Sequence, residues 1–224
     1  MKNLLTLKSL YSLLAVVTWT LLVYVVLEMA GRMLFSVEVQ PRFWVRDFLA
    51  HLVLSGLIFL MARNFTVYAV AYLLLMTLLH ISNNLKMVIL GGPIMPDDFI
   101  SARNMFMLFN DWKLWLMVLM LTLPLVALAS MIHWKKLRSW ISLSLIGLCT
   151  VVLLNWPGQI TAALDRQFGD WIWNQPGNYS ERGLVIHLIQ EAARNISRAY
   201  DVPDSKTVEQ ALATLKPGDR QVPV

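Results

Sequence analysis

Four histidines, His51, His80, His133 and His187, and one cysteine, Cys149, are the side chains of this chain best suited to metal or nucleophilic chemistry. They are dispersed. Neither His-x-x-x-His nor His-Glu-x-x-His occurs, so the spacing a zinc site needs is missing. A lone cysteine inside an apolar block builds neither an internal disulfide nor a cysteine metal cluster. No catalytic, cofactor-binding or metal-ligating residue is expected from these positions. Two other constellations carry more. Asn84, Lys86, Asp97, Asp98 and Arg103 lie in one interrupted stretch, and its two cations suit a lipid phosphate at a membrane surface. Snorkelling of the cations and helix capping by the aspartates are the plainer roles for the same residues. Glu28 and His51 lie inside apolar blocks, where ionisable groups mark functional sites by default. They are expected to form an intramembrane polar pair. Glu28 and His80 sit near block ends, where interfacial water is the simplest environment, and no acidic relay along several helices is apparent.

The elements that hold these residues follow from composition. The 224 residues are 57% hydrophobic and 15% charged, against about 45–50% and 25% in soluble domains. The excess is concentrated before Trp156. Apolar blocks at residues 10–30, 48–62, 67–81, 114–132 and 140–156 approach the roughly 20 residues needed to cross about 30 Å of hydrocarbon. The second and third read as a helical hairpin turning at Arg63-Asn64. The first is too long for a signal peptide and has no clean cleavage site. The expected fold is therefore an all-α integral membrane protein with about five transmembrane helices. Its domains are 1–156, the transmembrane part, and 157–224, a helical juxtamembrane linker.

Residues 82–113 are too apolar for a plain loop and too interrupted for a span. Gly91-Gly92-Pro93 breaks a helix, and Asp97 or Asp98 is expected to cap an amphipathic helix lying in the interface. In the tail, residues 159–173 recur at helical spacing, 174–178 read as a turn, 181–200 as an amphipathic helix and 207–215 as a short last helix. The apolar face of 181–200 is expected to carry Leu184, Ile186, Leu188, Ile189, Ala192 and Ile196. The net charge of +5 sits beside apolar blocks and in the tail, which favours phospholipid over nucleic acid as partner. The cluster Lys135, Lys136 and Arg138 belongs in the cytoplasm by the positive-inside rule. That puts the N-terminus inside and the tail outside.

Three strings carry a resemblance: Asn84-x-Lys86 with Leu90-Gly91-x-Pro93-x-x-Pro96-x-Asp98, then Asn178-Tyr179 with Gly183, and Tyr200-Asp201-Val202-Pro203. Together with the order of elements they resemble the membrane part of the lipoteichoic acid synthase-like phosphoglycerol transferases of the alkaline phosphatase and sulfatase superfamily. The resemblance implies five membrane helices in the bacterial cytoplasmic (inner) membrane, an extracytoplasmic tail and an anionic phospholipid or polyprenyl-linked substrate. It implies a threonine nucleophile and a divalent metal only in a catalytic domain expected after Val224 or in a separate subunit. The function it implies is a membrane module for phosphoglycerol or phosphoethanolamine transfer to cell-envelope glycans, catalytically incomplete by itself. A small lipid or solute transport component, and a membrane scaffold that docks a partner protein, are the alternatives.

Overall fold

The computed structural model describes residues 2–98, 129–169 and 173–200. Seven α-helices are described in full: α1 (Lys2–Ala30), α2 (Trp44–Met61), α3 (Phe65–Leu90), α4 (Leu137–Asn155), α5 (Pro157–Phe168), α6 (Gln175–Arg182) and α7 (Leu184–Tyr200). The described residues contain no β-strand, only the isolated bridge between Ala62 and Ile132. Among the described residues, four segments are long and apolar enough to cross a membrane: Leu10–Phe35, Pro41–Met61, Phe65–Leu90 and Leu137–Asn155. The shortest, 19 residues, is about 28 Å long at 1.5 Å per residue. Their outward faces carry Leu13, Leu22, Val53, Leu74, Leu78 and Leu148, all exposed. A soluble protein rarely shows so continuous an apolar surface, whereas lipid covers it at no cost.

The expected fourth block, 114–132, lies mostly outside the described residues, as do Arg103, the body of the interfacial helix and the last short helix. Three expected elements differ within them. Residues 82–90 are not loop: α3 runs on to Leu90 and stops at Gly91, whose φ of 72° is left-handed. That is the conformation glycine adopts most cheaply at a helix end. Residues 175–178 are not a turn either. Asn174 caps α6 by accepting a hydrogen bond from the Gly177 amide (3.1 Å), and Pro176 occupies a first-turn position that needs no amide donor. The expected helix at 181–200 is two helices, α6 and α7, broken at Gly183.

The apolar helices are joined by small polar side chains. Ser142 Oγ donates to the Leu57 carbonyl (2.9 Å) and Ser139 Oγ to the Leu60 carbonyl (3.3 Å), seating α4 on α2. Arg138 donates to the Ala62 carbonyl (2.7 Å) at the same end. At the other end the chain after α4 folds back. Gln40 donates its amide to the Ser180 carbonyl (2.8 Å), the Arg46 guanidinium donates to the Glu181 carbonyl, and Arg46 stacks over Phe43 and Phe168. The tail is thus docked on the end of the bundle where α1 finishes, α2 begins and α3 finishes.

Candidate functional site

Three stripes of polar residues define the interior of α1–α3. On α1 they are Thr20, Tyr24 and Glu28; on α2, Asp47, His51 and Ser55; on α3, Tyr68, Tyr72, His80 and Asn84. Within each stripe the spacing is four residues or a multiple of four, which keeps them on one helical face. All ten are buried. The polar faces turn inward and the leucine faces outward, the reverse of a water-soluble bundle.

The layer of hydroxyls farthest from the tail, one from each stripe, is fully bonded. Tyr68 Oη lies 2.6 Å from Ser55 Oγ and 3.2 Å from Thr20 Oγ1, and these two hydroxyls are 2.6 Å apart. Thr20 donates to the Val16 carbonyl (2.8 Å). Toward the tail the groups become ionisable. His51 Nδ1 lies 3.3 Å from Tyr72 Oη, and His51 Nε2 lies 3.7 Å from Asp47 Oδ1. His80 Nδ1 lies 4.0 Å from Glu28 Oε1, while Glu28 Oε2 accepts from the Val39 amide (3.3 Å). The His51 and His80 ring centroids are 5.5 Å apart, so the two acid–imidazole pairs lie side by side.

The tail closes this cluster. Gly183, with φ 77°, is seated directly on Asp47, where a Cβ would overlap the carboxyl group. Tyr179, fully buried, points toward the same acids: burial pushes its hydroxyl well above the usual tyrosine range, and Glu28 and Asp47 add to the effect. Behind the lid, α5 ends at Gly169, and its terminal carbonyls are gripped by cations and amides. Arg182, fully buried, donates to the Phe168 (3.0 Å) and Gly169 (2.6 Å) carbonyls. Arg194 bonds Asp165 (2.6 Å) and Glu191, and Gln190 bonds Asp165 (2.6 Å) and the Gly169 carbonyl (3.0 Å). Cations at a helix C-terminus are favoured by the exposed carbonyls and the dipole. The buried face of α7 therefore differs from the expected apolar one: it carries Leu184, Ile186, His187, Gln190, Glu191, Ala193 and Arg194, while Ile189 is half exposed.

The expected headgroup residues are spread over two environments. Asn84 is buried against Gly31, away from any open surface. Lys86 pairs with Asp98 at 2.5 Å, and Asp97 accepts from Asn195 of α7. Asp98 also accepts from the Met95 amide (2.7 Å), three residues before it, the return half of a capping box. Neighbouring Asn83 accepts from the Ile94 amide (3.0 Å). Glu28 and His51 belong to one cluster, but each has another partner: Glu28 faces His80 and His51 faces Asp47. Glu28 and His80 are buried inside the bundle and not at a watery interface. The sequence picks out neither Asp47, Tyr24 nor Tyr72, and Tyr179 only as part of the Asn178-Tyr179 string; the four-residue spacing Asp47–His51–Ser55 is the available signal.

Among the described residues, no group of three or more His, Cys, Asp or Glu side chains is arranged to hold a metal ion. Comparison with protein-family models, curated proteins and solved structures finds no match to this chain. The described residues define an all-helical protein with four helices able, by length and composition, to cross a membrane and a buried, tail-capped polar core.

His187 gives this lid a pH dependence. Burial, with the nearby Arg182, Arg194 and Lys86 cations, pulls its imidazole from the usual 6.5 down to about 4. The unfolded tail then binds a proton that the docked tail does not. Docking stability is full above pH 6.5 and falls as pH drops from 6.5 toward 4, by roughly 3 kcal/mol at most. Protease sensitivity of α7 should rise over that range, and His187→Leu should remove that component of the rise. An unchanged acid profile in His187→Leu counts against the assignment.

Proposed function

We propose that this chain is the membrane module of an extracytoplasmic phosphoglycerol or phosphoethanolamine transferase acting on cell-envelope glycans, catalytically incomplete by itself. It sits in the bacterial cytoplasmic membrane with its N-terminus inside and its tail outside, crosses five times, and presents a phospholipid headgroup to a downstream or separate catalytic domain. A crossing between α3 and α4 is supported by their ends: the Gly91 end of α3 is beside the tail, whereas the His133 backbone amide donates to the Met61 carbonyl at the opposite end of α2 (2.9 Å). The observation that carries the proposal is the joining of the loop after α3 to the tail. Lys86 binds Asp98, and Asp97 is bonded to Asn195. The cation suited to a headgroup is thus fixed to the polypeptide that would lead on to a catalytic domain. In this reading Asp98 holds Lys86 in the absence of lipid.

The test is lipid enrichment around the chain in nanodiscs of phosphatidylcholine with or without phosphatidylglycerol, read by mass spectrometry. The wild type should enrich the anionic lipid and release no glycerol phosphate alone. Asp98→Asn, which frees Lys86, should strengthen the enrichment by about 1 kcal/mol, and Lys86→Gln should weaken it similarly. Equal enrichment in all three chains would remove the headgroup role. The continuous polar interior of α1–α3 favours a second reading as a small transport component. Solute uptake into liposomes that His51→Ala abolishes would select it over the first.

A further inference from the structure

Two carboxyl groups and two imidazoles meet beneath the tail, and no Lys or Arg among the described residues reaches ion-pairing distance of either acid. Glu28 Oε1, both carboxylate oxygens of Asp47, and Nε2 of His51 and His80 meet no hydrogen-bond partner at bonding geometry. Tyr24 is a further polar neighbour of Asp47. Other groups face the cluster from the surrounding elements: Glu38 from the loop after α1, Arg46 from α2, Tyr72 from α3 and Tyr179 from α6. The four core side chains are at most 4% exposed.

The packing limits what such a site can hold. Gly183 leaves no room for even one added carbon over Asp47, and a Cβ on Gly31 would come within 3.0 Å of the Asn84 amide. A hydrated cation or an amine needs a cavity; a proton does not. Charge points the same way. Two ionised carboxylates in a dry site with neutral imidazoles would carry two uncompensated charges, each costing several kcal/mol. Each acid therefore needs one proton, on itself or on the imidazole it faces.

We propose that Asp47–His51 and Glu28–His80 form a coupled two-proton site whose ligand is the proton itself. In each pair the proton passes from the carboxyl oxygen to the facing ring nitrogen, converting acid plus imidazole into carboxylate plus imidazolium. The net charge of the pair stays at zero and nothing else is consumed. The 3.7 Å and 4.0 Å separations must shorten by about 1 Å for transfer, within reach of a side-chain rotation. With the rings 5.5 Å apart, two imidazolium ions repel. Ionising one pair therefore disfavours ionising the other, and the two titrate as a unit. Tyr72, bonded to Nδ1 of His51 and stacked on Tyr68 with ring centroids 6.1 Å apart, lies between the Asp47–His51 pair and the hydroxyl cluster of Tyr68, Ser55 and Thr20.

The experiment is 15N imidazole NMR of the full chain in nanodiscs across a pH series, with His133 and His187 signals assigned by His→Gln variants. Raising the pH takes the shared proton of each pair to solvent, leaving carboxylate and neutral imidazole, and because loss from one pair alters loss from the other, the His51 and His80 signals should change over one shared, broadened range. Glu28→Gln should alter the His51 signal as well as that of His80, and Tyr72→Phe, which preserves the packing, should move His51 first. Two independent single-proton titrations, or fixed tautomers indifferent to Glu28→Gln and Tyr72→Phe, overturn the proposal. So does stoichiometric zinc binding at both rings, which would make the ligand a metal.

Discussion

Alanine at position 183 is expected to release the tail from the bundle. Gly183 has φ 77° and ψ 175°, a region open essentially to glycine alone, and side chains forced there cost about 1–3 kcal/mol. Strain is only half of the effect. The new Cβ would overlap the carboxyl of Asp47, which is fixed on α2 and buried, so the turn itself must lift. Tyr179 and the Arg46–Glu181 contact flank the same turn and would leave with it. Hydrogen exchange should show amides of α6 and α7 losing protection by tenfold or more in Gly183→Ala, with α1–α4 unchanged. Gly183→Ala combined with Asp47→Ala removes the overlap but keeps the strain, so it should recover part of the protection. Wild-type protection in the single variant would mean that the Gly183–Asp47 contact does not hold the lid.

The apolar blocks were legible because a long run of Leu, Val and Ile declares its environment whatever its neighbours do. Their ends were not. Residues 82–90 contain Ser82, Asn83, Asn84 and Lys86, which look like loop on polarity. In place, Asn83 accepts from the Ile94 amide, Asn84 accepts from Asn83 and packs against Gly31, and Lys86 pairs with Asp98, so α3 continues through its polar residues. Asn174–Asn178 failed for a related reason: a proline and a glycine suggest a turn, but Pro176 is harmless in a first turn that Asn174 caps.

The buried cluster was readable only in part. Glu28 and His51 stand out as isolated charges in apolar runs. Asp47 sits just before the second block, beside Trp44 and Arg46, where an interfacial role looks sufficient. Taken with the helix period, Asp47, His51 and Ser55 are one stripe, and Tyr68, Tyr72 and His80 another. Which stripes face each other depends on helix rotation and on the tail's return, and no local pattern fixes either. Hence Glu28 is found with His80 and not with His51.

The second large effect is expected at Arg194. Its guanidinium joins Asp165 of α5 to Glu191 of α7, and it is 3% exposed, with Glu191 at 2%. Methionine retains most of the volume but strands Glu191 as a buried carboxylate, and breaking a buried pair in this way costs about 3–5 kcal/mol. The α5–α7 contact should therefore loosen, with hydrogen exchange rising in both helices. Removing both charges is expected to be milder, because a neutral glutamine leaves no buried ion behind. Glu191→Gln with Arg194→Met should dock more firmly than Arg194→Met alone. Gln190, which bonds both Asp165 and the Gly169 carbonyl, should keep the end of α5 in place in either variant. A double-mutant cycle giving additive effects would show that the two side chains do not interact; a coupling of 1 kcal/mol or more is expected. The comparison also separates the roles of the tail's cations. Arg182 bonds only backbone carbonyls in this region, so no acid is stranded by Arg182→Met. Its loss should act through the unsatisfied Phe168 carbonyl, since the Gly169 carbonyl keeps Gln190 and Arg194 as donors, and leave the Arg194–Glu191 coupling intact.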